Sequence, residues 1–122
     1  MMTFRAIAIC AAWALSAAVA PGRSLAFDAD GTYMVHGSGQ TTCREWLIDA
    51  RIGDSGAWQL QQWVLGYLTA YNEFVRGPAD IADGMGSEGV FNWIDTHCGA
   101  SQGDSLGQAV RAMISERLAA SE

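Results

Sequence analysis

The segment 58–75, "WQLQQWVLGYLTAYNEFV", constrains the fold more than any other part of this 122-residue chain. Its apolar side chains recur at helical spacing, while glutamine, threonine and glutamate side chains lie opposite them. The apolar stripe consists of Leu60, Trp63, Val64, Tyr67, Leu68, Tyr71, Phe74 and Val75. A membrane-spanning helix would be apolar on every side, so the pattern predicts an amphipathic helix that packs against protein. Gly66 lies inside it at a cost of about 1 kcal/mol relative to alanine, and we hypothesise that a neighbouring backbone approaches closely there.

A shorter helix is predicted just before this one. Thr42 and Glu45 fit a capping box, in which each side chain accepts a hydrogen bond from the backbone N–H of the other residue. Apolar residues then recur at helical spacing as far as Ala50, and Gly53 is expected to end the helix.

Two further helices follow a glycine-rich loop over residues 76–89. The third is expected over about 87–98, and the fourth begins near Asp104 or Ser105. Ser105 with Gln108 predicts a second capping box. No segment reads as a confident strand, so the expected fold class is all-α, a small four-helix domain.

The N-terminal segment 1–26 has the pattern of a cleaved signal peptide. A basic start, an uncharged apolar run of about 15 residues and small residues before Phe27 are typical of such signals. The apolar run is too short for a spanning helix, which needs roughly 20 residues. We therefore expect a periplasmic protein with an extended arm over residues 27–40 and a helical domain over 41–120.

The charge of the exported part excludes some partners. Residues 27–122 contain five arginines, no lysine and all 13 carboxylates, a net charge of −8. Nucleic acid and anionic lipid headgroups would repel such a chain. We predict no nucleic-acid partner, and no membrane association of the mature form.

Two cysteines, Cys43 and Cys98, remain after removal of the signal. An even pair in an exported chain predicts a disulfide. Closing the long loop between them would stabilise the fold by about 4 kcal/mol in the chain-entropy model. The alternative is a metal site with His36 and His97, but zinc ligands usually come in close pairs. We predict no metal and no cofactor.

Two short motifs raise the possibility of an enzyme. The string "GDSG" over 53–56 is similar to the nucleophile segment of trypsin-like proteases, but its helical context favours a turn with Asp54 or Ser55 as a helix N-cap. Cys98 beside His97 would be a nucleophile only as a free thiolate, which a disulfide excludes. We predict no catalytic residues.

Aromatic side chains along segment 58–75 provide the candidate binding surface. Trp46 and Trp63 are expected in the core. Trp58 lies at the edge of the long stripe and Trp93 lies off the main stripe of the third helix, so both suit a dimer or client surface. The candidate client- or dimer-binding residues are Trp58, Trp63, Leu68, Tyr71 and Phe74, although most of them also suit a core.

Three segments over residues 43–114 resemble the HdeA/HdeB family of periplasmic acid-stress chaperones. "CREWL" from Cys43 resembles that family's Cys-x-x-aromatic-Leu segment, and "VLGYLTAYN" is similar to its middle helix. "IDTHC", followed by Leu106 and Val110, resembles its second cysteine helix. The resemblance implies small helical subunits with one disulfide joining the two cysteine segments. It also implies homodimers near neutral pH that loosen in acid and expose apolar surface to unfolding clients.

The charges of the chain permit such a response to acid. Below pH 3 most carboxylates would be protonated while arginine and histidine stay charged. The side chains of residues 27–122 would then carry about +7, from five arginines with His36 and His97. Repulsion between these charges could open a weak interface while the disulfide limits unfolding.

A second resemblance leads to a different function. "GY" at Gly66 and the segment 91–110 are similar to Tai-type immunity proteins of type VI secretion, which are also exported, helical and cysteine-bridged. Such a protein would bind one toxin tightly at neutral pH. A third interpretation is a small structural domain of an envelope assembly.

Overall fold

The computed structural model describes residues 32–53 and 55–122, without the side chains of residues 50–52. Four helices follow a short 3-10 helix at Gly37–Gln40: α1 at Cys43–Ile52, α2 at Ser55–Phe74, α3 at Gly86–Ala100 and α4 at Leu106–Ala120. The described residues contain no strand, which confirms the predicted all-α, four-helix fold for this part of the chain. The signal peptide predicted over 1–26 and Asp54, a predicted N-cap, lie outside the described residues.

Both predicted capping boxes are present. At the start of α1 the Thr42 N–H donates to Glu45 Oε2 at 2.8 Å, and the Glu45 N–H donates to Thr42 Oγ1 at 3.2 Å. Ser105 and Gln108 make the equivalent pair of bonds at the start of α4. Gly53 ends α1 in the left-handed conformation, with φ of 65°, as its position after the helix predicts.

The first residues of α1 and α4 are joined by backbone hydrogen bonds. The Cys43 N–H donates to the Asp104 carbonyl at 2.8 Å, and the Leu106 N–H donates to the Thr41 carbonyl at 2.8 Å. The Arg44 N–H donates to a carbonyl of the same α3–α4 connection. A helix leaves its first N–H groups without partners inside the helix, and here the two helix starts satisfy several of each other's groups.

The predicted disulfide joins Cys43 at the start of α1 to Cys98 near the end of α3. Both cysteines are fully buried, and their Cα atoms are 4.8 Å apart. The bond closes a chain separation of 55 residues, so it fixes the two helices against each other across most of the domain.

All four helices and the loop before α3 contribute to one core. Its largest members are Trp46, Leu60, Val64, Leu68, Ile81, Val90, Ile94, Leu106, Val110, Met113 and Ile114. Ile81 comes from the predicted loop, which is held in place by polar contacts. The Asn72 side chain accepts from the Ile81 N–H at 2.9 Å, and the Arg117 guanidinium donates to the carbonyls of Ile81 and Asp83.

Residues 37–40, which the sequence assigned to an extended arm, form the 3-10 helix and pack against α2 and α4. Trp63 explains the contact, because its indole N–H donates to the His36 carbonyl at 2.8 Å and its ring covers the buried Gly39. A Cβ atom on Gly39 would overlap the Trp63 ring and lie 2.5 Å from Val35 Cγ1. Gly107 of α4 faces the same place, where its Cβ would lie 3.1 Å from the Gly39 carbonyl oxygen.

The hypothesis of a close backbone approach at Gly66 is wrong. Gly66 is exposed, and a Cβ atom there would meet no described atom within 4 Å. The close approach occurs instead at Gly39 and Gly107, which meet across the 3-10 helix and α4. Helical spacing within α2 contains no information about a contact between two segments outside it.

Alanine substitutions separate these two kinds of glycine. We expect Gly39→Ala to destabilise the protein by about 1–3 kcal/mol, because the added methyl group overlaps a ring that its own hydrogen bond holds in place. Gly66→Ala should instead raise the free energy of unfolding by about 0.5–1 kcal/mol, since alanine is the better helix former and has room. Urea denaturation of both variants checks this. Equal effects of the two substitutions would contradict the packing at Gly39.

Candidate functional site

The structure divides the five candidate binding residues along α2. Trp58 near its start is 62 % exposed and Phe74 at its end is 79 % exposed. Trp63 and Tyr71 are half-buried, and Leu68 is buried in the core. Trp58 and Phe74 are separated by about 24 Å along the helix at 1.5 Å per residue. In the folded chain the five side chains therefore do not form one continuous exposed surface.

The buried members of the set stabilise the fold. Leu68 belongs to the core, and Tyr71 packs against it. Trp63 holds the 3-10 helix and also contacts Tyr67, with ring centroids 5.4 Å apart. A client could reach Leu68 and the covered faces of Trp63 and Tyr71 only after the helix had moved away from its neighbours.

Carboxylates from α3 and α4 accept hydrogen bonds from two tryptophans. Trp46 of α1 donates its indole N–H to Asp95 Oδ1 at 2.6 Å, and Trp93 of α3 donates to Glu116 Oε1 of α4 at 3.2 Å. Trp46 is only 1 % exposed, so its N–H needs a partner inside the protein. The sequence identified both tryptophans as notable. It did not identify either acceptor, because each acceptor lies on a different helix from its tryptophan and spacing within one helix does not show such a contact.

His97 makes a third side-chain contact with a carboxylate, that of Asp104. Its Nε2 atom is 3.0 Å from Asp104 Oδ2, and its ring stacks on Trp93 with centroids 5.3 Å apart and an interplanar angle of 14°. The neighbouring Cys98 was considered as a nucleophile from the sequence. Its sulfur is bonded to Cys43, so it has no free thiol.

Two side chains have perturbed pKa values. The backbone N–H of Thr42, followed by its hydroxyl group, donates to Glu45 and lowers the pKa of that carboxyl group. Burial, followed by the charge of Tyr71, raises the pKa of Tyr67. The first shift makes one half of the α1 capping box sensitive to acid.

Across residues 32–53 and 55–122, no three or more histidine, cysteine, aspartate or glutamate side chains lie together as a metal site would require. None of the helices in these ranges combines the length and the hydropathy needed to cross a bilayer.

Comparison of the chain with protein families, with curated proteins and with solved structures found no match. The resemblances to the HdeA/HdeB family and to Tai-type immunity proteins stay predictions.

Removal of the Asp95 carboxylate tests the contact that it makes with Trp46. We expect Asp95→Ala to lower the free energy of unfolding by about 1–3 kcal/mol, because a buried indole N–H loses its acceptor. Glu88→Ala is the matched control, since it removes a carboxylate two turns earlier on α3 whose side chain bonds to no other described residue. Chemical denaturation at pH 7 measures both. A loss no larger than that of the control would contradict this role of Asp95.

The lowered pKa of Glu45 predicts a stability change with a defined sign. A carboxylate whose pKa is lower in the folded state stabilises the fold above its ordinary pKa of 4.5, and this contribution is lost as the pH falls through the lowered value. Glu45→Gln should therefore lower the Tm at pH 7 and lower it less at pH 2–3. Gln108 occupies the position of Glu45 in the second capping box but carries no charge. Gln108→Ala should therefore lower the Tm equally at both pH values. A pH-independent effect of Glu45→Gln would contradict the prediction.

Proposed function

We propose that this protein is an exported, non-enzymatic chaperone that opens in acid and holds unfolding client proteins on α2. The observation that carries the proposal is the position of its carboxylates. Asp95 links α3 to α1, Glu116 links α4 to α3, and Asp104 links the α3–α4 connection to His97. All three contacts therefore involve α3, and each has a carboxylate as one partner.

Protonation weakens these contacts without removing any atom. A charged acceptor makes a stronger hydrogen bond than a neutral one, so the three contacts are strongest while their carboxylates are charged. Loss of the Glu45 cap acts in the same direction, because the lowered pKa of that carboxyl group makes its contribution to stability disappear in acid. The accompanying change of net charge from −8 towards about +7 adds repulsion in the same direction.

The disulfide determines which parts can separate. Because Cys43 and Cys98 hold α1 to α3 covalently, the loosened chain stays compact around that pair. Helix α2 has no such bond, and its movement would release Leu68, Tyr71 and Trp63. These side chains lie between Trp58 and Phe74, so their release would join two separate exposed ends into one apolar stripe.

Aggregation of a client protein tests the proposal directly. We expect the protein to suppress aggregation and to bind an apolar dye at pH 2–3, and to do neither at pH 7. The double variant Trp58→Ser/Phe74→Ser should lose most of this suppression in acid. Met34→Ser/Ile48→Ser is the matched control, since it removes two apolar side chains that are 75 % and 51 % exposed outside α2. Absence of dye binding at every pH, or equal suppression at pH 7, would contradict the proposal.

A second candidate function is the neutralisation of one partner, such as a toxin, at neutral pH. Exposure of Phe74 beside Val75, at 79 % and 42 %, favours it, because this apolar end of α2 is accessible in the folded chain. A toxin gene beside the gene for this protein would support this function, as would tight binding of that toxin at pH 7.

A further inference from the structure

A groove crosses the surface where α3 faces α2, above Trp46 of α1. It has a volume of about 220 Å³. Its lining residues are Trp46, Gln61, Glu88, Phe91, Asn92 and Asp95. Two of the lining side chains are aromatic, with the Trp46 and Phe91 ring centroids 6.2 Å apart. The other four, called the rim here, are two carboxylates and two amides.

Helix geometry places these rim groups around one ring. Glu88, Phe91 and Asp95 are spaced i, i+3 and i+7 on α3, so they share one face of the helix. Phe91 therefore lies between the two carboxylates, about one turn of helix from each. Asn92 lies beside it on the same helix, and Gln61 approaches from α2.

Most of the polar atoms of this rim are available to a ligand. The side chains of Gln61, Glu88 and Asn92 make no hydrogen bond to another described residue. Asp95 uses Oδ1 for the Trp46 indole N–H, and its Oδ2 has no partner in the same part of the chain. The groove thus combines a half-buried aromatic ring with several hydrogen-bond acceptors, and its net charge at neutral pH is negative.

We propose that this groove binds an arginine side chain of a protein partner at neutral pH. A planar guanidinium group can stack on the Phe91 ring while its N–H groups donate to Asp95 Oδ2, to the Glu88 carboxylate and to the amide oxygens. The whole chain has no lysine and a net charge of −6, so it attracts a basic partner before contact.

The shape of the rim favours arginine over lysine. Acceptors lie on several sides of the Phe91 ring, and a guanidinium group presents five N–H donors in one plane that matches the stacked position. An ammonium group has three donors at one point and keeps more of its hydration, so it gains less from the same groove. A neutral side chain of arginine shape would lose both the attraction to the carboxylates and the cation–π contact.

This site goes beyond the proposed function, since it acts in the folded protein at pH 7, where the chaperone is expected to be inactive. Its test therefore neither needs nor affects the client assay. If the groove does not bind arginine, suppression of client aggregation at pH 2–3 is still expected. If the protein does not suppress aggregation at pH 2–3, arginine binding in the groove at pH 7 is still expected.

Titration of the full mature chain with short peptides, followed by NMR at pH 7, tests the proposal. The probes are acetyl-Gly-Arg-Gly-amide, the same peptide with citrulline, which is neutral and similar in shape, and the same peptide with lysine. We expect saturable binding of the arginine peptide with a Kd of about 1 mM, as suits a single side chain. The shifts should occur at the Trp46 indole N–H and at the backbone amides of residues 88–95, with at least about fivefold weaker binding of the other two peptides.

Variants identify the groove as the binding site. Glu88→Gln should weaken arginine binding at least about fivefold without changing the fold, because Glu88 is exposed. Phe91→Leu should weaken it through loss of the stacked ring. Glu73→Gln is the matched control, since it removes the same charge from an exposed position on α2 and should leave the Kd unchanged.

Three outcomes would overturn the assignment. The first is the absence of saturable shifts at residues 88–95. The second is equal binding of the citrulline or lysine peptide, and the third is an unchanged Kd in Glu88→Gln. Loss of binding in Glu88→Gln with retention in Glu73→Gln would support it.

Discussion

The covalent bond between Cys43 and Cys98 is the constraint on which the rest of the structure depends. It brings the first residue of α1 to the last turn of α3, and the backbone bonds of Cys43 and Leu106 then place the start of α4 at the same point. Three helix ends therefore meet around one buried sulfur pair. A domain of this size buries a limited apolar surface, so a single cross-link at such a junction has a large effect on which packing is stable.

Beyond this junction, the helices are joined by contacts of two chemical types. Apolar packing around Leu68 and the other core side chains is insensitive to pH. The bonds from Trp46 to Asp95 and from Trp93 to Glu116 depend on carboxylates, as does the cap at Glu45. In the proposed function, acid acts on the charged groups while it leaves the disulfide unchanged. That difference is the physical basis of the proposed chaperone. Helix α2 is expected to move because the disulfide holds α1 to α3 and does not include α2.

Asp95 has two roles in this description. One oxygen accepts from the buried Trp46 indole N–H, and the same side chain lines the groove beside Phe91. One carboxylate therefore supports the α1–α3 contact and also lines the groove, and the change of net charge towards positive in acid would repel a basic partner. A partner bound through arginine at neutral pH would be released under the same conditions that open the domain for clients. The two proposed activities thus use different pH ranges of one protein.

Local sequence determined the helices, both capping boxes, the left-handed end of α1 and the cysteine pair, because each depends on spacing within one segment or on the number of cysteines. Long-range contacts lay beyond such reasoning. The sequence indicated a close approach at Gly66, but the structure has it at Gly39 and Gly107, since only the packed fold brings these glycines together beneath Trp63. The acceptors Asp95 and Glu116 and the division of α2 into exposed ends and a buried centre were likewise decided by tertiary structure. Helical periodicity indicates which face of a helix is apolar, but the neighbours that pack against that face determine how much of it stays exposed.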